Sequence, residues 1–125
     1  MLHDIVLPFT TTAGGAATVT PAFWPGPSKL LAVLYDRGTV DAGADLTISY
    51  DLYDVVETLL TITNAGAADV VWYPRRVVQG NTGANLTGLA GGDVEPYLVM
   101  GRPQLVVAQG GNALTGAVIL VVQMP

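Results

Sequence analysis

Polar and apolar residues alternate along much of this chain. Between Asp45 and Leu52, Leu46, Ile48, Tyr50 and Leu52 fall on one side and Asp45, Thr47, Ser49 and Asp51 on the other, the period of a β-strand with one wet face. Ala16 to Thr20 carries a shorter version. Glu57 to Thr63 sets Leu60 and Ile62 opposite Thr61 and Thr63, with β-branched residues that suit a pleated surface. Gly and Pro occur 15 and 8 times, which leaves room for no capped helix of ordinary length beyond a turn around Asp51 to Glu57. Short strands spaced by turn signals predict an all-β domain, an antiparallel β-sandwich or barrel of jelly-roll-like type with roughly eight strands.

The turn signals can be placed. Asn64-Ala65-Gly66 predicts a hairpin between a strand ending near Thr63 and one starting near Asp69, because Asn and Gly tolerate the positive φ of a tight turn. Gly110-Gly111-Asn112 predicts a second hairpin, between Gln104 to Gln109 and Leu114 to Gln123. Gly80 to Gly92 has little periodicity and reads as one long exposed loop. Pro21 to Pro27, with Phe23 and Trp24 between three prolines, is a rigid connection or an edge, since each proline lacks a ladder donor.

Three segments break the rule of one wet face. Leu30 to Tyr35, Val70 to Tyr73 and Ala117 to Val122 are apolar on both sides, although every strand of an isolated two-layer sandwich should show one face to water. Something must cover them. One candidate is a loop such as Pro21 to Pro27 lying on the sheet. The favoured one is a second copy of the chain, because obligate interfaces resemble a domain core cut in half.

Composition narrows the function. At 125 residues the chain is sized for one domain, residues 1–125, with 1–15, ending in Thr10-Thr11-Thr12-Ala13-Gly14-Gly15, a candidate flexible arm. Only 12% of residues are charged, and 5 cations against 10 acids leave a net charge of −5. So few cations cannot neutralise many phosphates, which excludes a nucleic-acid partner. Cysteine is absent, so stability comes from packing. The apolar run Ala117 to Val122 is far short of the ~20 residues that span a bilayer. The start, Met1 to Val6, lacks the basic region and long apolar stretch of a secretion signal.

No residue set announces catalysis. His3 is the only histidine and has no cysteine or second histidine to form a triad or a zinc site. Ser28 and Ser49 lack a nucleophile-elbow context. Asp41, Asp45, Asp51, Asp54 and Glu57 could supply oxygen ligands, but their spacing matches no EF-hand loop. The Gly80 to Gly92 segment has no phosphate-binding lysine, and Asn85-Leu86-Thr87 is a glycosylation sequon only in a secreted eukaryotic chain. The expectation is a non-enzymatic protein with no cofactor and no metal. Arg75 and Arg76 hold two of the five cations directly after Trp72-Tyr73-Pro74, and arginine and aromatics are the residue types enriched at interface hot spots.

The order of several motifs resembles that of small structural proteins of tailed bacteriophages. These are Ala-Thr-Val-Thr (17–20), Asp-Leu-Thr-Ile (45–48), Glu-Thr-Leu-Leu-Thr-Ile-Thr-Asn-Ala (57–65), Trp72-Tyr73-Pro74-Arg75, Asn81-Thr82-Gly83-Ala84 and Gly110-Gly111-Asn112-Ala113. They span most of the chain and are similar to small proteins encoded near phage head genes, several of which act as head decoration or cement proteins. The resemblance implies a protein made in the bacterial cytoplasm and carried on the virion head. It would bind the major capsid protein and stabilise the shell as a homo-oligomer, a trimer being favoured, without nucleic-acid or membrane partners. Interface candidates are Ile5, Val6, Leu7 and Phe9, in a segment that could add as a strand to a neighbour or could be the ordinary first strand, together with Trp24, Trp72, Tyr73, Arg75 and Arg76. The alternatives are a tail or head-completion component, and a carbohydrate-binding β-sandwich module of a fibre or receptor-binding protein, in which Trp24, Trp72 and Tyr73 would be stacking platforms.

Overall fold

A computed structural model describes residues 1–77, 79, 83 and 94–124. Its described elements are strands: β1 (Leu2–Thr10), β2 (Ala17–Val19), β3 (Ser28–Asp36), β4 (Asp45–Leu52), β5 (Val55–Ile62), β6 (Val70–Trp72), β7 (Arg76–Val77), β8 (Val94–Glu95), β9 (Tyr97–Val99), β10 (Pro103–Ala108) and β11 (Thr115–Gln123). The chain is all-β and its strand pairs are antiparallel. Eleven strands replace the expected eight or so, because β7, β8 and β9 have only two or three residues and leave no readable period. No helix among the described residues is long and apolar enough to cross a membrane.

Two sheets carry the fold. One has the order β1-β11-β3-β6 with β9 also on β3, the other β2-β10-β4-β5, and β7-β8 is a separate ribbon. The inward positions alternate along every long strand. Ile5, Leu7 and Phe9 of β1, Val118, Leu120 and Val122 of β11, and Leu30, Val33 and Tyr35 of β3 meet Leu46, Ile48 and Tyr50 of β4 and Leu105 and Val107 of β10 in one buried cluster. At roughly 1.5–3 kcal/mol for each large apolar side chain fully removed from water, this layer is the main favourable term of the fold.

Two bulges adjust the alternation. In β3, Val122 pairs with Leu30 and Val121 with Ala32, so Leu31 is the extra residue and two positions separate the inward Leu30 from the inward Val33. In β5, Ile48 pairs with Leu60 and Ser49 with Thr58, which makes Leu59 the extra residue and lets it be buried.

Both hairpins expected from turn chemistry are corrected. Asn64 and Gly66 do adopt positive φ, 54° and 95°, but the chain passes there from β5 in one sheet to β6 in the other. Gly110-Gly111-Asn112 likewise joins β10 to β11 across the two sheets. A turn residue sets the local backbone, whereas the partner of the next strand is set by which apolar face it must bury. The tight hairpin is instead β4–β5, where Leu52 pairs with Val55 around Tyr53 and Asp54, at φ 51° and 64°. It occupies the position where the sequence allowed a helical turn. The long loop expected over Gly80 to Gly92 and the Asn85 sequon lie outside the described residues, apart from Gly83.

Candidate interaction surface

Because side chains alternate across a strand, the outward face of the β1-β11-β3-β6 sheet follows from its register. Val6 pairs with Ile119, Ile119 with Leu34, and Leu34 with Val71. All four belong to the outward set, so one apolar row crosses four strands. Val6 and Val71 at its ends are exposed and Ile119 and Leu34 half-buried. The adjacent row runs from the exposed Asp4 on β1 through Val121 to the buried Ala32, with the bulged Leu31 beside it. A shallow depression of about 520 Å³ lined by Leu34, Asp36, Asp69, Val70, Val71 and Ile119 opens at one end of this face. A second, of about 320 Å³, lined by Ser28, Lys29, Leu98, Gln123 and Met124, opens at the other.

The face is rimmed by charge. Asp36 ends β3 at the first depression, beside Asp69, whose Oδ1 accepts a hydrogen bond from the Arg37 backbone N–H at 3.0 Å. Lys29, seven residues before Asp36 on the same strand, lines the second depression. Among the described residues the ion pair within 4.0 Å is Arg76–Glu95, at 3.6 Å, so neither Lys29 nor Asp36 is paired within that set.

The loop Pro21 to Pro27 lies beside β1 and against the core. Its Trp24 packs against the core, and Pro21, Ala22 and Phe23 flank β1 at Asp4, Ile5 and Val6. The exposed Phe23 extends the apolar surface at the β1 edge.

The sequence-derived candidates separate cleanly. Leu2–Thr10 pairs in register along its whole length with β11 of the same chain, the placement of an ordinary first strand. Ile5, Leu7 and Phe9 therefore face the core and are corrected as interface candidates, while Val6 points outward. Trp72 is half-buried and stacks on Tyr35, ring centroids 5.8 Å apart and 23° between planes. Tyr73 is exposed. Arg75 Nη1 donates to the Leu31 carbonyl at 3.0 Å and to the Pro74 carbonyl at 2.7 Å. It thus reaches the bulged residue, between the stretch of β3 that β9 pairs and the stretch that β6 pairs. Arg76 lies against Glu95 on the β7–β8 ribbon.

The chemical candidates are dispersed. Asp45 and Asp51 stand near opposite ends of β4, about 20 Å apart at a strand rise of about 3.3 Å per residue, and Asp45 Oδ1 accepts from the Asn64 N–H at 3.0 Å. Among the described residues no three acidic or histidine side chains gather into a metal-binding group. Ser28 is buried and its hydroxyl donates to the Gly26 carbonyl at 2.9 Å. His3 is half-buried within β1, opposite Val122. Burial pushes the Tyr35 phenol above its ordinary value, with Arg37 pulling it down and Asp69 pushing it up. Burial also raises Tyr50, helped by Glu57 and opposed by Arg76.

Sequence reasoning did not single out Leu34, Ile119, Val71, Lys29, Asp36 or Asp69. The two-faced runs contained the apolar three, but the bulge at Leu31 hides which residue of its run faces outward.

No protein-family model matches the chain, and no curated protein is recognisably similar to it. Among solved structures, a chain in the structure of infectious bursal disease virus, Gx strain, is similar at 17% identity and a TM-score of 0.31. The similarity covers 98% of this chain and 37% of that one, so the chain spans little more than a third of that protein's length. A likeness this distant carries no argument about function.

Proposed function

We propose that this chain is a non-enzymatic virion structural protein, and within that class a head decoration protein of a tailed phage that binds between capsid subunits and associates with itself. The observation that carries the reading is the apolar row Val6, Ile119, Leu34 and Val71, turned to the outside of a sheet whose inner face already fills the core. The row leaves apolar area in water once the domain has folded, and association is what removes that area and gains affinity from it. Two further points support the reading. The orders β1-β11-β3-β6 and β2-β10-β4-β5 are those of a jelly roll, an architecture shared by viral capsid domains and lectins. That is a fold-level analogy. The motif order resembling phage head proteins is the other support.

The test is co-sedimentation of the purified protein with phage heads. Binding in a fixed ratio to the major capsid protein is expected. Because the force proposed is apolar burial, binding should survive molar salt, where the Debye length has shrunk to about 3 Å. Failure to bind heads overturns the decoration role, and a few copies per particle would indicate a tail or head-completion component. The exposed Tyr73 ring is the observation that favours a carbohydrate-binding module. That reading predicts glycan binding lost in Tyr73→Ala, a substitution to which head binding should be indifferent.

A further inference from the structure

The outward face of the five-stranded sheet has a polarity that identifies its occupant. Lys29 lies near the start of β3 and Asp36 at its end, each beside one of the two depressions. With the bulge between them they are roughly 20 Å apart at about 3.3 Å per residue. Val121 with Ala32 and the row Val6-Ile119-Leu34-Val71 lie between, and a third acid, Asp4, stands at the β1 edge of the Val121 row. Consider a second copy laid face to face on the first by a two-fold axis that lies in the interface and runs across the strands. That operation places β3 over β3 with its direction reversed. Lys29 of each copy then comes to the depression that holds Asp36 and Asp69 of the other, the aliphatic side chains meet in the middle, and Asp4 of each copy falls beside Val6 of the other at the solvent-facing β1 edge. A face with like charges at both ends could not pair with itself in this way.

We propose that two copies of this chain stack through the β1-β11-β3-β6 faces, antiparallel along β3, with Lys29 of each copy opposite Asp36 and Asp69 of the other. The extent of the face fits a reversible contact. Four strands at about 4.8 Å spacing and the nine residues of β11 give a patch of roughly 19 Å by 30 Å. That is about 570 Å² per copy in projection, at the lower end of specific interfaces, which bury ~1,200 Å² or more in total. The pair therefore depends on concentration rather than being permanent. It deepens the self-association in the reading above and needs no virion.

Sedimentation velocity across a concentration series, with circular dichroism to confirm folding, tests the arrangement. Wild-type protein should pass from monomer to dimer in the micromolar range. Lys29→Glu places acid against acid at both ends, and the double variant Asp36→Lys, Asp69→Lys places base against base. Each should weaken dimerisation at least tenfold, since like charges across an interface oppose docking. Mixing the two variants restores opposite charges at both ends and should return dimerisation to near the wild-type level. Lys29 and Asp36 are exposed, so Lys29→Glu and Asp36→Lys should leave folding unchanged. Asp69→Lys also removes the acceptor of the Arg37 backbone N–H, and the single Asp36→Lys variant, expected to weaken dimerisation in the same direction, separates lost pairing from lost folding. A strict monomer at 100 μM, a trimer, or a mixture that fails to recover would each overturn the proposal. The outcome is separable from the virion role: normal dimers that ignore phage heads would remove that role and leave the pairing, whereas head binding by a protein that never dimerises would do the reverse.

Discussion

The two sheets bury equivalent inner faces and differ on their outer ones. Across the outside of β2-β10-β4-β5 the row corresponding to Val6-Ile119-Leu34-Val71 reads Thr18, Val106, Thr47 and Thr61, and the row beside it Gln104, Ser49 and Thr58. Threonine and valine have nearly the same shape and both suit a pleated strand, so either row is compatible with sheet formation. What differs is hydration. A threonine hydroxyl bonds water, whereas a valine or isoleucine methyl leaves apolar area that only another surface can remove from water. The threonine row belongs to a face that is finished when the domain has folded. The aliphatic row leaves apolar area on the outside of its sheet after the domain has folded.

The largest expected effect lies on the inner side of the aliphatic sheet. Leu120 is fully buried and its neighbour Ile119 faces out. Leu120→Ala should cost about 2–5 kcal/mol of unfolding free energy through lost burial and a residual cavity. Ile119→Ala should cost less than about 1 kcal/mol at monomer concentrations. Equal losses in urea titrations of the two variants would mean that the outward face is covered within the monomer.

Next is the exchange of the outer rows. Replacing Val6, Leu34, Ile119 and Val71 by Thr should leave the monomer folded and weaken self-association about 100-fold, or ~2.7 kcal/mol. The converse changes, Thr18→Val, Thr47→Val and Thr61→Val, give the molecule two aliphatic faces and should carry assembly beyond dimers. Light scattering distinguishes the outcomes, and an unchanged dimer in the threonine variant would move the interface elsewhere.

The smallest effect concerns Tyr35, on the inner side of the same sheet. Its hydroxyl is buried with no hydrogen-bond partner among the described residues, and its phenol is raised by burial. A raised folded value means that the fold holds the neutral form. The stability linked to it is full below the ordinary value of 10.0 and is lost as pH rises through the folded value. Tyr35→Phe should keep or gain up to ~1 kcal/mol at neutral pH, because an unsatisfied hydroxyl is removed. It should also soften the fall of Tm above pH 10. Tyr50, raised as well, retains part of that fall, since its hydroxyl donates to the Leu98 carbonyl at 3.3 Å. A drop of several degrees at pH 7 in Tyr35→Phe would show that the hydroxyl has a partner.

Much of this was legible in residue order, and the limits have identifiable causes. The alternation of Asp45 to Leu52 predicted a strand whose Leu46, Ile48 and Tyr50 are buried, because a period of two needs no knowledge of the partner strand. The two-faced runs correctly marked the sheet whose outside is aliphatic. Within β1 the same logic could have separated Val6 from Ile5, Leu7 and Phe9, but an apolar terminus reads equally as a strand or an arm until its partner β11, over a hundred residues away, is known. Turn residues behaved as their chemistry requires, with Asn64 and Gly66 at positive φ, yet gave the wrong pairing. A hydrogen-bond ladder joins residues distant in sequence, and only the competition among faces for a common core decides which sheet receives a strand. The same holds for the charged poles. Lys29 and Asp36 are ordinary surface residues in the sequence, and their placement at opposite ends of one aliphatic face exists only once β1, β11, β3 and β6 lie side by side. Composition and period thus determined the fold class and the presence of strands that are aliphatic on both faces. Strand order, the bulge at Leu31 and the location of the outward aliphatic row were decided by tertiary packing, which alone brings distant strands into one register.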